Sequence, residues 1–252
     1  MPTRDVPWPA GTPCWVDYSA PDLEGAKAFY GDLLGWQYTG GDPEYGGYLI
    51  CELDGLAAGG MAPQMDPTGT GWTTYFATDD AAAHADKIAA AGGTVVVPPM
   101  QVGPMGTMAI ALDPGGNMFG LWQSGLNTGV RVHNQPGALA WNEASVDDVT
   151  AAQAFYGQVF GFRFDEIEGA DGYSTFAVGE RPLGGLGGRV EGAAKGWSCC
   201  FTVASTDAAV EAVTAAGGRV TMPPMDTPWG RFAVLEDPWQ QPFSVMQDAE
   251  PG

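Results

Sequence analysis

With 252 residues, of which 45% are apolar and 16% charged, the chain can bury one large core or two of roughly 125 residues each, and global disorder is excluded. Ten basic residues against thirty acidic ones leave a net charge of −20, which repels phosphate backbones and anionic lipid and so excludes nucleic-acid and membrane partners. No apolar run approaches the ~20 residues that span a bilayer, and the start of the chain is broken by prolines, so a cytoplasmic protein without an export signal is expected.

Trp15 opens the first strand-like stretch. Asp22 follows seven residues later as the N-cap of a helix that closes at Gly35. Leu23, Ala26, Tyr30 and Leu33-Leu34 give that helix one core-facing stripe. Three short runs of strand character follow, over 36–39, 48–53 and 56–63, with the glycine-rich loop 40–47 between the first two. Trp72 opens a second unit, Asp79 is its expected N-cap, and the helix ends at Gly92-Gly93 before strands over 94–97, 107–112 and 118–123. Pro98-Pro99-Met100 marks a bend.

The chain then repeats itself. Residues 15–36 match 141–162 at nine of 22 positions, and 90–100 match 215–225 at eight of 11. In the second half Trp141 and Asp148 keep the spacing of seven, while Trp197 opens the fourth unit with Asp207 as its expected helix start. The order is βαβββ four times over, with the polar stretch 125–136 as the linker.

Other residues carry little chemistry. Cys14, Cys51, Cys199 and Cys200 lack C-x-x-C spacing and read as buried thiols in a reducing compartment. His84 lies in an alanine-rich helix and His133 in the linker, so neither a multi-histidine metal site nor a serine–histidine triad is expected. Gly184-Gly185-Leu186-Gly187-Gly188 lacks the Lys-Ser/Thr of a phosphate loop and reads as a close-packed strand, as does Gly59-Gly60.

The residues Asp22, Ala28-Phe29-Tyr30 and Gly35, the turn Asp113-Pro114-Gly115-Gly116-Asn117, and their counterparts Asp148, Ala154-Phe155-Tyr156, Gly161 and Asp237-Pro238 carry a resemblance over about 12–247. The pattern resembles the vicinal oxygen chelate superfamily of glyoxalases, extradiol dioxygenases, fosfomycin-resistance and bleomycin-binding proteins. Within it, the chain is most similar to actinobacterial tandem proteins labelled hydroxylase or glyoxalase-like. The resemblance implies an α+β fold of two tandem domains, 10–124 and 137–248. Each would be two βαβββ modules forming a curled half-barrel sheet with flanking helices around a pocket. Two domains in one chain can make internally the pairing that many relatives make between chains, so a monomer with an internal pseudo-dimer is expected.

Metal enzymes of that family place His, Gln or Glu ligands at the opening of each first strand and in each last strand. By the resemblance these positions hold Trp15, Trp72, Trp141 and Trp197, and fall at or next to Gly60, Gly120, Gly185 and Ser244. Indole and glycine donate no ligand, so no metal and no other cofactor is expected.

If the four tryptophans face the hollows, strand alternation sends residues two and four further on to the same side. That places Asp17 and Ser19, Thr74 and Phe76, Glu143 and Ser145, and Cys199 and Phe201 there, with Met118, Trp122 and Met246 from the last strands. The expected ligand-binding set is Trp15, Trp72, Phe76, Trp122, Trp141, Trp197, Phe201 and Met246; Asp17 and Glu143 are the candidate catalytic groups. Two alternatives stay open. The aromatics either line a pocket for a flat or bulky molecule or fill the hollows as core. The carboxylates either serve architecture, or act as a general base with raised pKa, or stay charged to hold a cationic amine. The expected function is a metal-independent small-molecule-binding protein of the resistance or sequestration type. The alternative is a glyoxalase-like or hydroxylase-like enzyme of secondary metabolism, an isomerase, lyase or oxygenase that uses a pocket carboxylate.

Overall fold

The computed structural model describes residues 3–65, 71–170, 172–190 and 194–249. Module 1 comprises β1 (Pro13–Ala20), α1 (Leu23–Leu34), β2 (Gln37–Gly40), β3 (Leu49–Leu53) and β4 (Leu56–Pro63). Module 2 comprises β5 (Gly71–Ala77), α2 (Ala81–Ala90), β6 (Thr94–Val102), β7 (Gly106–Leu112) and β8 (Met118–Ser124). Module 3 runs through β9 (Leu139–Val146), α3 (Val149–Phe160), β10 (Arg163–Glu166), β11 (Tyr173–Ala177) and β12 (Gly184–Gly188). Module 4 closes the chain with β13 (Gly196–Thr202), α4 (Thr206–Ala215), β14 (Arg219–Thr227), β15 (Gly230–Glu236) and β16 (Pro242–Asp248).

The βαβββ order is therefore present four times, in two eight-stranded mixed sheets ordered β2-β3-β4-β1-β5-β8-β7-β6 and β10-β11-β12-β9-β13-β16-β15-β14. β1 runs antiparallel to β5 at the centre of the first sheet, with β4 and β8 parallel to them on either side. β6 continues past the expected bend to Val102. As an edge strand it tolerates Pro98 and Pro99, which lack a ladder donor, through register jumps between Val95, Val97 and Met100. Among the described residues no helix is long and apolar enough to cross a membrane.

Helix ends follow the side chains. Asp22 and Asp148 accept from Gly25 N at 3.1 Å and Ala151 N at 2.9 Å, and Gly35 and Gly161 close α1 and α3 in the left-handed region. The starts of α2 and α4 correct the sequence reading. Asp80 rather than Asp79, and Ser205 rather than Asp207, accept from the helix at 3.0 and 3.2 Å. Both helices start one residue later relative to their opening tryptophan than α1 and α3 do.

The two sheets turn their helix-bearing faces toward each other. α1 packs on α4, α2 on α3, and β5 on β13. Two apolar cores result, and neither belongs to one half of the chain. One joins Tyr18, Tyr30, Trp36 and Met61 of module 1 to Phe201, Val213, Leu235 and Phe243 of module 4. The other joins Phe76, Ile88, Phe119 and Leu121 of module 2 to Tyr156, Phe160, Phe176 and Leu186 of module 3.

The Asp-Pro turns and the Ala-Phe-Tyr helices meet in the same crosswise fashion. Tyr30 Oη donates to Asp237 Oδ2 at 2.9 Å, and Tyr18 Oη donates to the same oxygen. In the pseudo-symmetric place Tyr156 Oη donates to Asp113 Oδ2 at 3.0 Å. Burial raises the pKa of Asp237, opposed chiefly by the Tyr18 hydrogen bond. The motif residues that carry the family resemblance are thus the buried polar pins of the contact between halves.

Candidate functional site

Each sheet leaves its other face concave. On the first, β1 register pairs Trp15 with Tyr75 and Asp17 with Thr73, so these four share the hollow side. β4 and β8 set Gly60 beside Asp17 and Gly120 beside Tyr75. On the second, Trp141 pairs with Cys200 and Glu143 with Ser198, with Gly185 beside Glu143 and Ser244 beside Cys200.

Trp72 and Trp197 point the other way. Trp72 pairs with Tyr18, and Trp197 with Ala144, both on the helix side. The Trp72 indole N–H donates to Tyr30 Oη at 3.0 Å and that of Trp197 to Tyr156 Oη at 2.7 Å. Phe76 lies 4.9 Å from Trp197 and Phe201 lies 5.2 Å from Trp72, ring centre to ring centre. The expected placement of Trp72, Phe76, Trp197 and Phe201 in the hollows is therefore corrected: these four build the cores between the halves. Thr74 and Cys199 share that side, and Thr74 Oγ1 donates to Asn142 Oδ1 across the contact at 2.8 Å. A strand has a two-residue period, so the one-residue offset in helix start inverts every side chain.

In the first hollow Trp15 Nε1 donates to Tyr48 Oη at 2.8 Å, and Tyr48 Oη donates to Asp17 Oδ2 at 3.3 Å. Trp15, Tyr75 and Trp122 are only 3%, 6% and 8% exposed, so this hollow is largely packed by its own aromatics. Tyr45, on the short turn Pro43–Tyr45, brings its hydroxyl to the β6–β7 turn, 3.4 Å from where a side chain on Gly103 would begin. Opposite rims of the first sheet touch there.

Burial pushes the Asp17 carboxyl up to about 6, opposed by hydrogen bonds from Tyr75 and Tyr48. A carboxyl whose pKa rises on folding favours the folded state most below the unfolded value and loses that advantage as pH rises through the folded value. Asp17→Asn is accordingly expected to be more stable than the parent at pH near 8, by about 1–3 kcal/mol, with the difference vanishing below about pH 4. Thermal melts of both proteins across that range test it. A difference that grows toward acid would contradict the assignment.

The second hollow keeps the arrangement but loses the filling. Trp141 Nε1 donates to Tyr173 Oη at 3.2 Å, and Tyr173 Oη donates to Glu143 Oε2 at 3.1 Å. Where the first hollow has Tyr75, Gly120 and Trp122, the second has Cys200, Ser244 and the half-buried Met246. A pocket of about 70 Å³ results, walled by Glu143, Ser145, Tyr173, Ser198, Val234 and Ser244, among others. Ser145 Oγ is buried there without a hydrogen-bond partner, and Ser244 Oγ lies against the Cys200 thiol. Burial raises the Glu143 carboxyl, opposed by Tyr173, and raises the Cys200 thiol.

The positions where the resemblance implies metal ligands do not fit a divalent ion. A side-chain carbon on Gly60 would begin 1.9 Å from Tyr48 Oη, one on Gly185 1.8 Å from Tyr173 Oη, and one on Gly120 2.1 Å from the Tyr75 ring. Tyrosines occupy the space that ligand side chains need. Burial, and the adjoining carboxylates after it, hold the Tyr48 and Tyr173 phenols well above their usual range, so they are neutral donors rather than anionic ligands. His84 stacks on Phe160 and His133 packs against Trp8, and among the described residues no three His, Cys, Asp or Glu side chains are grouped to hold a metal.

Sequence reading missed Tyr48, Tyr75 and Tyr173. A signal for two of them was present. Tyr48 precedes Gly60, and Tyr173 precedes Gly185, by the same twelve residues in both halves.

A profile of the Glyoxalase/Bleomycin resistance protein/Dioxygenase superfamily matches residues 14–121 and again 138–245. The chain is 38% identical, over 99% of both sequences, to CFP32 of Mycobacterium tuberculosis, a protein named as a candidate glyoxylase. It is 36% identical to the anthracycline biosynthesis protein DnrV of Streptomyces peucetius, over 97% of this chain and 95% of that one. In fold it resembles the Mn(II)-bound glyoxalase of Novosphingobium aromaticivorans, with a TM-score of 0.69 at 15% identity, covering 96% of this chain and 83% of that one. The 2,3-dioxygenase LapB of Pseudomonas sp. KL28 superposes with a TM-score of 0.64 at 15% identity, over 99% and 96% of the two chains. The chain belongs to the glyoxalase/bleomycin resistance/dioxygenase superfamily, with two copies of the family domain in tandem.

Proposed function

We propose that the protein is a metal-independent small-molecule-binding protein whose working site is the second hollow. The observation that carries this is the buried, unpartnered hydroxyl of Ser145 beside the Glu143–Tyr173 pair. Buried polar atoms are almost always satisfied, so orphans lining a pocket point to a partner from outside. A pocket of about 70 Å³ is less than half the ~150 Å³ that accepts a benzene ring. It receives the polar end of an aromatic or amphipathic metabolite, and the remainder lies at the mouth. The anthracycline biosynthesis proteins among the relatives support an aromatic product of secondary metabolism as the ligand. Four free, buried cysteines suit a reducing cytoplasm, and the internal contact between halves suits a single working chain.

A second reading has one observation in its favour. Glu143, raised by burial and hydrogen-bonded to Tyr173, is placed to move a proton to or from a bound carbon acid. The two readings separate in one experiment. Intrinsic tryptophan fluorescence is titrated with aromatic polyketides and amphipathic metabolites, and each bound compound is recovered from deuterated water. Saturable quenching that weakens in Ser145→Ala, with recovered ligand unchanged, is the expected result. Deuterium incorporation that needs Glu143 would favour the enzyme, and one tightly held divalent metal per domain would overturn metal independence.

A further inference from the structure

We propose that the second hollow selects a protonated amine, an inference that rests on reading this hollow as the ligand pocket. Among the described residues that wall it, every charged or polar side chain can accept a hydrogen bond, and none is Lys, Arg or His. Two bases lie next to wall residues in sequence, but both are drawn to Asp147 at the exposed strand end. Lys195 Nζ is 2.6 Å, and Arg189 Nη1 3.8 Å, from its carboxylate. An anionic ligand would thus meet a carboxylate without a compensating cation.

What the pocket lacks is positive charge. Ser145 Oγ is buried without a partner, and Ser244 Oγ lies against the Cys200 thiol with a lone pair to spare. Glu143 keeps lone pairs free beyond the one that Tyr173 engages. An ammonium group brings three N–H donors, no acceptor and one positive charge. It matches the free Ser145 oxygen and the Glu143 carboxylate, and it offsets the cost of keeping Glu143 ionised in a buried place.

The groups that face Glu143 are the Tyr173 phenol from β11, the Cys200 thiol from β13 and the Ser244 hydroxyl from β16, none of them cationic. The charged residues nearest the pocket wall are the Asp147, Arg189 and Lys195 set, and Asp248 acts on Cys200. Amine binding therefore weakens as pH falls and Glu143 takes up a proton, at a higher pH than for an ordinary carboxyl.

Calorimetric titration of the full chain with phenethylamine and with phenethyl alcohol tests this, since the two probes share a ring and differ in charge. The amine is expected to bind at least about tenfold tighter near neutral pH, and Glu143→Gln to remove that preference while leaving the alcohol unchanged. If Glu143→Gln fails to fold, Ser145→Ala reports instead, with weakening of the amine of a few fold expected, roughly one neutral hydrogen bond. Equal binding of both probes, or preference for the alcohol, overturns the amine selectivity and leaves the pocket standing. Binding of neither probe by a folded protein overturns both readings.

Discussion

Expressed separately, residues 1–124 and 137–252 are expected to give two proteins without cooperative unfolding transitions, whereas the two pieces expressed together reassemble a folded complex. The reason is the crosswise construction of the cores. Module 1 shares its apolar interior with module 4, and module 2 with module 3. Separation would uncover Phe76, Phe119, Leu121 and Ile88 in one piece and Phe160, Phe176, Phe201 and Phe243 in the other. At about 1.5–3 kcal/mol for each large side chain, each piece forfeits roughly 6–12 kcal/mol, comparable to the roughly 5–15 kcal/mol that holds a typical domain folded. The cut would also take the Tyr156 hydrogen bond from Asp113 and those of Tyr18 and Tyr30 from Asp237, leaving each carboxylate only the donors of its own turn. Denaturant melts of each piece and of the mixture decide the matter. A sharp two-state transition for either piece alone would show that the halves are independent domains.

The second large effect separates indoles that look alike in sequence. Trp197→Ala is expected to cost about 3–5 kcal/mol, because it removes a 9%-exposed ring packed on Phe76, Phe176 and Tyr156 and leaves Tyr156 without its indole donor. Trp141→Ala, half-buried and joined to the pocket wall through its hydrogen bond to Tyr173, is expected to cost about 1 kcal/mol and to act on ligand binding instead. Urea unfolding of both variants gives the comparison. Equal and large losses would mean that the second hollow is filled core and not a site.

The fold could be read from the sequence because repetition and caps are local signals. Asp22 and Asp148, the closing glycines Gly35 and Gly161, and the matched stretches each fix an element without reference to the rest of the chain. Faces are harder, because they depend on parity. Taking Asp79 instead of Asp80 as a cap is an error of one residue, yet in a strand that error exchanges core for hollow, and it carried Trp72 and Phe76 with it. The site was legible to the extent that it sits on β1 and β9. Asp17, Trp15, Glu143 and Trp141 do share the concave sides. Tyr75 and Tyr173 escaped because they come from other strands, and only the sheet register sets them against Asp17 and Glu143. The crosswise cores were hidden for a different reason: a repeat says which segments are alike, not which of them pack together.

The tyrosines lying over glycines also bear on how this chain could change. A lineage that lost its metal by a single ligand substitution could regain it by a single reversal. Here a carboxylate placed at position 60 or 185 would collide with the phenol that fills the space, and shortening Tyr173 alone would take the hydrogen bond from Glu143, whereas Asp17 would keep Tyr75 if Tyr48 were shortened. Each single step is unfavourable, and only the double change restores a ligand with room to stand. Glycine and tyrosine are thus coupled at these positions: a longer side chain and the ring that faces it can be exchanged only together.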